Sequence, residues 1–218
     1  MELAPEQPSR VVIAVPCGDE VKADFCFSLA AMVNHVHSEP IPGLEALGIM
    51  NFRTSVLPDS RNILAQKALE GGFTHILWID SDMCFGHDML SRLMRHRVPF
   101  VGINASMRQP PYMTTAMVAP GVNLVTNAHS SGLEKVERMG LGVVLHTTEV
   151  LRAIKKRPWF SFDYVRHKHI HRGEDYVFCN KVKKAGFTLW VDQDVSKDVG
   201  HVGSHAFYPV RDAEEVTE

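Results

Sequence analysis

The sequence reads as an α/β domain on a mostly parallel sheet, and two observations predict it. Uninterrupted apolar runs recur at residues 10–15, 74–79 and 99–103. Strands buried on both faces read this way, because neither side meets water. Segments with helical spacing separate the runs, so strand and helix alternate over roughly the first 105 residues, as crossover connections in parallel sheets require.

The elements follow in order. Arg10 to Val15 is a buried strand ended by Pro16. Val21, Phe25, Leu29, Met32, Val33 and Val36 recur at helix spacing, and Pro40 and Pro42 close that unit. Leu44 to Phe52 is a second strand. Asp59 or Ser60 can cap a helix from about Arg61 to Glu70, stopped by Gly71-Gly72. Thr74 to Ile79 is the third strand, His87 to His96 a short helix, and Pro99 to Ile103 the fourth strand.

The second half changes style and predicts a smaller antiparallel region. Tyr112–Val118 and Asn123–Thr126 read as short strands punctuated by Pro110-Pro111 and Pro120-Gly121. Gly140 and Gly142 flank a turn into Val143-Val144-Leu145, and Thr147 or Thr148 can cap a helix to about Lys156. Arg157 to Gly173 lacks periodicity and reads as a loop. A last helix spans Gly173 to Gly186, a strand Phe187 to Val191, and the tail from Arg211 is acidic and frayed.

Bulk properties set the outer limits. A chain of 218 residues, 45% hydrophobic and 22% charged, can bury a core of its own. The net charge of −2 gives no global basic field for nucleic acid. Four cysteines without a C-x-x-C pair argue against a zinc knuckle and for buried free thiols in a reducing compartment. No signal-peptide pattern and no apolar run of membrane-spanning length are present, so the expected location is cytoplasmic.

Asp80-Ser81-Asp82 is the sharpest chemical feature. In extended chain, residues i and i+2 point the same way, so both carboxylates can face one point. The triplet lies just past a buried strand, where ligands bind in open α/β sheets. Manganese and magnesium take hard oxygen ligands, commonly one or two carboxylates with substrate phosphates. A bare D-x-D is more often a solvated turn; the preceding apolar strand favours a metal role.

Other candidates stand on local sequence. Arg61, near a helix start at Asp59-Ser60-Arg61-Asn62, could grip a phosphate or merely be solvated. Glu174 and Asp175 could be an ordinary acidic first turn or include a general base. His167, His169 and His171 alternate within a basic stretch that reads best as a solvated loop. His201, between Gly200 and Gly203, could complete a metal site.

Taken in order, these pieces resemble a GT-A-type glycosyltransferase, and more narrowly the large inverting family 2-like group with its short bacterial and phage members. The resemblance rests on the strand ending at Val15-Pro16, Ser60-Arg61-Asn62, Ile76 through Met83, Met139-Gly140-Leu141-Gly142, Gly173-Glu174-Asp175, and a final strand followed by His201. It covers about residues 10–205. It implies a flexible stretch 1–9, one GT-A (Rossmann-like) catalytic domain over 10–208 and a tail 209–218. The domain would divide into a nucleotide-binding half, 10–105, and an acceptor or catalytic half, 106–208.

The resemblance also implies roles. Pro16 would line the nucleotide pocket, and Arg61 would hold the nucleotide or its phosphates. Asp80, Ser81 and Asp82 would bind the nucleotide-sugar, with Asp80, Asp82 and His201 on Mn2+ or Mg2+. Gly140 and Gly142 would border donor sugar and acceptor. Asp175 would be the catalytic base, with Glu174 positioning acceptor or sugar.

An acceptor carried on DNA, a hydroxymethylated base in a phage, is a further expectation. Arg152, Lys155, Lys156, Arg157, Arg166, Lys168 and Arg172 could meet phosphates, with Trp159, Phe160 and Phe162 for stacking. After Pro16 the chain reads Cys-Gly-Asp-Glu, where relatives carry an aromatic-Asn pair. The rival readings are a nucleotidyltransferase, which would want a Gly-rich basic loop there, and a non-catalytic sugar- or nucleotide-binding module.

Overall fold

The computed structural model describes residues 8–108, 113–166, 169–203 and 206–207. It opens with strand β1 (Ser9–Cys17), buried throughout from Val11. Helix α1 (Ala23–Ser38) leads to β2 (Leu44–Arg53), and α2 (Leu57–Glu70) leads to β3 (His75–Ile79). Both β2 and β3 pair parallel with β1. After the short β4 (Met83–Cys84) come α3 (Met89–Arg95) and β5 (Phe100–Gly102).

The hairpin β6 (Met117–Ala119) and β7 (Val122–Asn123) follows, then β8 (Leu133–Val136), β9 (Val143–Thr147) and α4 (Thr148–Ala153). A second hairpin joins β10 (Asp163–Val165) and β11 (Ile170–Arg172). The chain continues through α5 (Glu174–Lys184), β12 (Leu189–Asp192), α6 (Gln193–Ser196), β13 (Gly200–Val202) and β14 (Ala206–Phe207).

Among the described residues the central sheet has seven strands in the order β2-β1-β3-β9-β5-β12-β8. Five run one way; β9 and β8 run against them. The sheet is thus mostly parallel and flanked by helices, as the apolar runs predict. Alternation within each run sorts its residues. Val12, Ala14, Ile76 and Trp78 face a core covered by α2, α4 and α5. Val11, Ile13, Val15, Leu77 and Ile79 face a second core covered by α1, α3 and α6. A continuous apolar run is what two covered faces require.

Several expectations need correction. α2 starts at Leu57, four residues before Arg61, and Val56 caps it without a side-chain bond. Pro58 in its first turn is pre-set for helix and has no N–H to lose. Asp59 and Ser60 therefore lie inside the helix; Ser60 Oγ donates instead to Phe52 O at 2.8 Å. α4 stops at Ala153, short of Lys156. The stretch Arg157–Gly173 is partly the β10–β11 hairpin, and His167 and Lys168 lie outside the described residues. Tyr112 and the tail from Arg211 also lie outside them. Cys26 is exposed, unlike the other three cysteines, and all four are free thiols. No helix among the described residues is long and apolar enough to cross a membrane.

One buried polar group ties the sheet's centre together. His146 on β9 stacks on Phe100 at 5.7 Å, near Phe178, and accepts the Trp78 Nε1–H at Nε2 over 2.9 Å. Its Nδ1–H donates to Thr147 O at 2.9 Å. Both ring nitrogens are satisfied only in the neutral form, and burial pushes the imidazole down to about 4 from 6.5.

Its contribution to stability is complete above about pH 6.5 and shrinks as pH falls toward 4, where the unfolded chain takes a proton that the folded chain refuses. The total is on the order of 3 kcal/mol. His146→Gln should therefore lose less stability than the native chain between about pH 7.5 and 5, read from urea midpoints. Parallel losses in both proteins would refute this.

Candidate functional site

The site forms where the parallel strands end. β1 and β3 are in register with Ala14 opposite Trp78, which places Pro16 level with Asp80. Pro16 itself is buried in β1. The Asp80-Ser81-Asp82 backbone is pinned from several directions. Asp80 N–H donates to Gly142 O at 2.9 Å, and Ser81 O accepts Lys22 N–H at 3.0 Å. Asp82 O accepts Val202 N–H at 2.7 Å. The β13–β4 pairing sets His201 opposite Met83, hence beside Asp82.

Arg61 joins this end of the sheet to α5. It is 1% exposed, yet its guanidinium meets two carboxylates. Nη2 donates to Asp80 Oδ1 at 2.7 Å, and Nε lies 3.4 Å from Glu174 Oε1. Its plane lies over the Trp78 ring at 5.5 Å, and Nη2 is 3.5 Å from Leu141 O. Burial pushes the Asp80 carboxyl above the usual range; Arg61 opposes this and Asp82 adds to it. Burial likewise pushes Glu174 up, against Arg61 and with help from Asp175.

Asp82 has different neighbours. Its Oδ2 accepts from Arg108 Nη1 at 2.9 Å and lies 3.4 Å from His201 Nε2. Partial burial pushes this carboxyl up, but His201 and Arg108 together outweigh it and hold it below the usual range. His201 Nδ1–H donates to Ser106 O at 3.0 Å. That bond fixes the Nδ1–H and leaves Nε2 facing Asp82 Oδ2.

Among the described residues no group of three or more His, Cys, Asp or Glu side chains is placed to hold a metal ion. Asp80 is taken up by Arg61, and Asp82 by Arg108 and His201.

The α5 acids approach from the other side. Glu174 is buried against Arg61, and Asp175 is half-buried with Oδ1 accepting its neighbour's Tyr176 N–H at 2.6 Å. Gly142 lies directly against the triplet. A Cβ there would sit 3.2 Å from Met83 Sδ, a tight approach, and 3.8 Å from Asp80 Oδ2, an ordinary contact, so a side chain would press on Met83 first. Gly140 faces Thr115 instead, 3.1 Å from where its Cβ would be.

Some sequence candidates do other work. Asn62 holds the 158–160 segment, donating to Phe160 O at 2.8 Å. Trp159 and Phe160 are core residues, 3% and 0% exposed, and are not available to stack on a base. His169 Nδ1 meets the Tyr164 hydroxyl at 3.2 Å, and His171 packs by Phe162 and Tyr164, so these histidines do not converge on one ligand. Arg108 was not legible in the sequence: no motif surrounds it, and only the folded chain brings it to Asp82.

No protein family and no curated protein matches the sequence. In structure the chain is similar to A197 from STIV, with a TM-score of 0.58 and 15% identity over 92% of this chain and 90% of that one. That likeness concerns the fold. Weaker superpositions reach a nucleoside-diphosphate-sugar pyrophosphorylase from Vibrio cholerae RC9 (TM-score 0.46, 11% identity, 94% and 98% covered). They also reach the catalytic domain of Drosophila β1,4-galactosyltransferase 7 in complex with xylobiose (TM-score 0.49, 12% identity, 89% and 71% covered).

Removing Arg61 leaves the buried Glu174 and the half-buried Asp80 without their shared counter-charge. Arg61→Met should cost about 3 kcal/mol or more, and Arg61→Met with Glu174→Gln should recover part of that loss. Chemical denaturation of the four proteins of the cycle measures it; an Arg61→Met protein as stable as the native chain would exclude the buried linkage.

Proposed function

We propose that the protein is a GT-A-type glycosyltransferase, moving a sugar from a nucleotide-diphosphate donor to an acceptor hydroxyl with inversion, and requiring Mn2+ or Mg2+. One observation supports this above others. The buried Arg61 ties one acid of each of two pairs together at the carboxyl end of the sheet, Asp80 of Asp80–Asp82 and Glu174 of Glu174–Asp175. That tie supports reading one pair as the donor site and the other as carrying the proton acceptor, as a displacement reaction needs.

In this reading Asp80, Asp82 and His201 hold the cation, with Ser81 between the two carboxylates. When bound, a divalent cation supplies Lewis-acid neutralisation of the charge that grows on the leaving diphosphate. Asp175 accepts the proton of the acceptor hydroxyl as oxygen attacks the anomeric carbon from the face opposite the leaving group, which inverts that centre. Glu174 orients acceptor or sugar, Gly140 and Gly142 keep that approach open, and Pro16 borders the nucleotide. Arg61 acts from beneath, holding Asp80 and Glu174 in place. An acceptor hydroxyl on a modified DNA base belongs to the same reading.

The loop after β1 bears on the nucleotidyltransferase alternative. Asp19 there is exposed and 3.9 Å from Arg53. It offers an acid where that chemistry wants a basic phosphate cradle.

Nucleotide diphosphates should raise the melting temperature when MnCl2 is present, and much less in EDTA; Asp82→Asn should abolish the metal-dependent part. No shift with any of UDP, GDP, ADP, CDP or dTDP would sink the donor site. Asp175→Asn should keep the shift and lose turnover by about 10²- to 10⁴-fold. Full activity in that variant would remove the base from Asp175, and a native protein that binds but never turns over would leave a binding module.

A further inference from the structure

A cleft of about 870 Å³ runs beside α5, between the helix and residues 153–163. Its walls carry Lys155, Lys156, Arg157, Arg172, Lys181 and Lys184, against the single lining acid Asp163, which Arg172 already meets at 3.4 Å. The chain as a whole is slightly acidic, with a net charge of −2. Six cations on one concave surface are therefore a local concentration, not a reflection of composition.

Three of the four lysines are not spent internally. Among the described residues Lys155, Lys156 and Lys184 are exposed and form no ion pair. Lys181 Nζ is fixed by Pro158 O at 2.6 Å and Trp159 O at 3.0 Å. Burial pushes its ammonium down, and so does the neighbouring charge of Lys156. Like charges held together without acids cost stability unless an anion relieves them.

Aromatic rings flank the cleft. Phe162 lines it and is 53% exposed, and Tyr164, 48% exposed, follows on β10. Tyr176 lies on the helix side with Arg172 at 5.1 Å from its ring. Cations along a groove with open rings beside it can take phosphates on the one and bases on the other.

The 11 residues of α5 span about 16 Å, enough for on the order of five phosphates at duplex spacing. On α5 the cleft is lined from Tyr176 onward, the residue that follows Glu174 and Asp175. Its concavity favours a strand over a flat anionic membrane.

We propose that this cleft binds a single-stranded nucleic acid, backbone on the lysines and bases toward Phe162 and Tyr164. As an acceptor site this rests on the transferase reading; as a binding site it stands by itself.

The test is fluorescence anisotropy with a labelled thymidylate oligomer of about 20 nucleotides, long enough to span the cleft. The native chain should bind it, with log affinity falling as log salt rises. Lys155→Glu with Lys156→Glu and Lys184→Glu, all at exposed positions, should weaken binding at least about tenfold and flatten the salt slope by about 2. Phe162→Ala with Tyr164→Ala should weaken it while leaving the slope unchanged. Melting temperatures report that each variant is folded.

No binding of the oligomer overturns the proposal. So does binding that the lysine variant leaves intact, a preference for duplex of equal length, or lysine-dependent binding to phosphatidylglycerol vesicles with none to the oligomer. The donor assay separates the two readings: strand binding that persists in a protein with no nucleotide-diphosphate shift would sink the transferase and leave the cleft standing.

Discussion

The site depends on one buried ion-paired linkage, Asp80–Arg61–Glu174. A guanidinium that is 1% exposed is costly to desolvate, and its Nη1 and Nε have no hydrogen-bond partner among the described residues. Two carboxylates and the face of Trp78 offset that cost. The consequence is geometric. α2, β3 and α5 are separate in sequence, and this linkage fixes the end of one strand against the starts of two helices. Taking one oxygen of Asp80 for structure leaves the other for a ligand, so the same arginine limits how that carboxylate can be used.

The strands were legible because burial on two faces leaves an unmistakable pattern. Val11 to Val15 and Ile76 to Ile79 cannot be read otherwise, and both are central strands. What escaped was short or set by distant partners. β4 and β13 have two and three residues and exist because they pair with each other. β8 is an edge strand whose Leu133-Glu134-Lys135-Val136 carries too few apolar residues to stand out. The buried Asn104 is a further case. It donates to Leu124 O and Thr126 Oγ1 and accepts from Ala116 N–H, tying the end of β5 to the 114–126 segment. Nothing local in the sequence separates such an asparagine from a solvated one.

The same division holds in the site. The D-x-D triplet stood out because it follows an apolar strand, whereas the α5 acids read locally as an ordinary first turn and took a role only from the resemblance. Arg61 was legible as a feature but not in its depth: its partners lie on β3 and α5, far along the chain, and only packing makes it internal. Trp159 and Phe160 show the reverse error. Aromatics in a basic stretch suggest a surface that stacks on bases, yet these two fill the core under α5, with Phe160 stacked on Phe178 at 4.2 Å. The exposed rings are those of Phe162 and Tyr164, at a hairpin whose alternation is too short to announce a strand.

α5 separates charge along its length. Glu174 and Asp175 occupy its first turn and Lys181, Lys183 and Lys184 its last, each placed where the helix dipole favours it. A transferase that joins a diphosphate-linked sugar to a strand of phosphodiesters must bring two anionic partners within bonding distance. Putting both on one cationic surface would let either occupy the other's place. On the proposed reading the acidic end would take the diphosphate through a cation and the basic cleft would take the strand directly, so the two partners would be recognised by opposite means. Along the helix Asp175 stands about 9 Å of rise from Lys181 and about 14 Å from Lys184, so with a Debye length of about 8 Å at physiological salt the far lysine is largely screened from the acids and the near one is not. The division between the acidic and basic ends is thus set by the length of the helix, and on the proposed reading Asp175 would stand at its donor end.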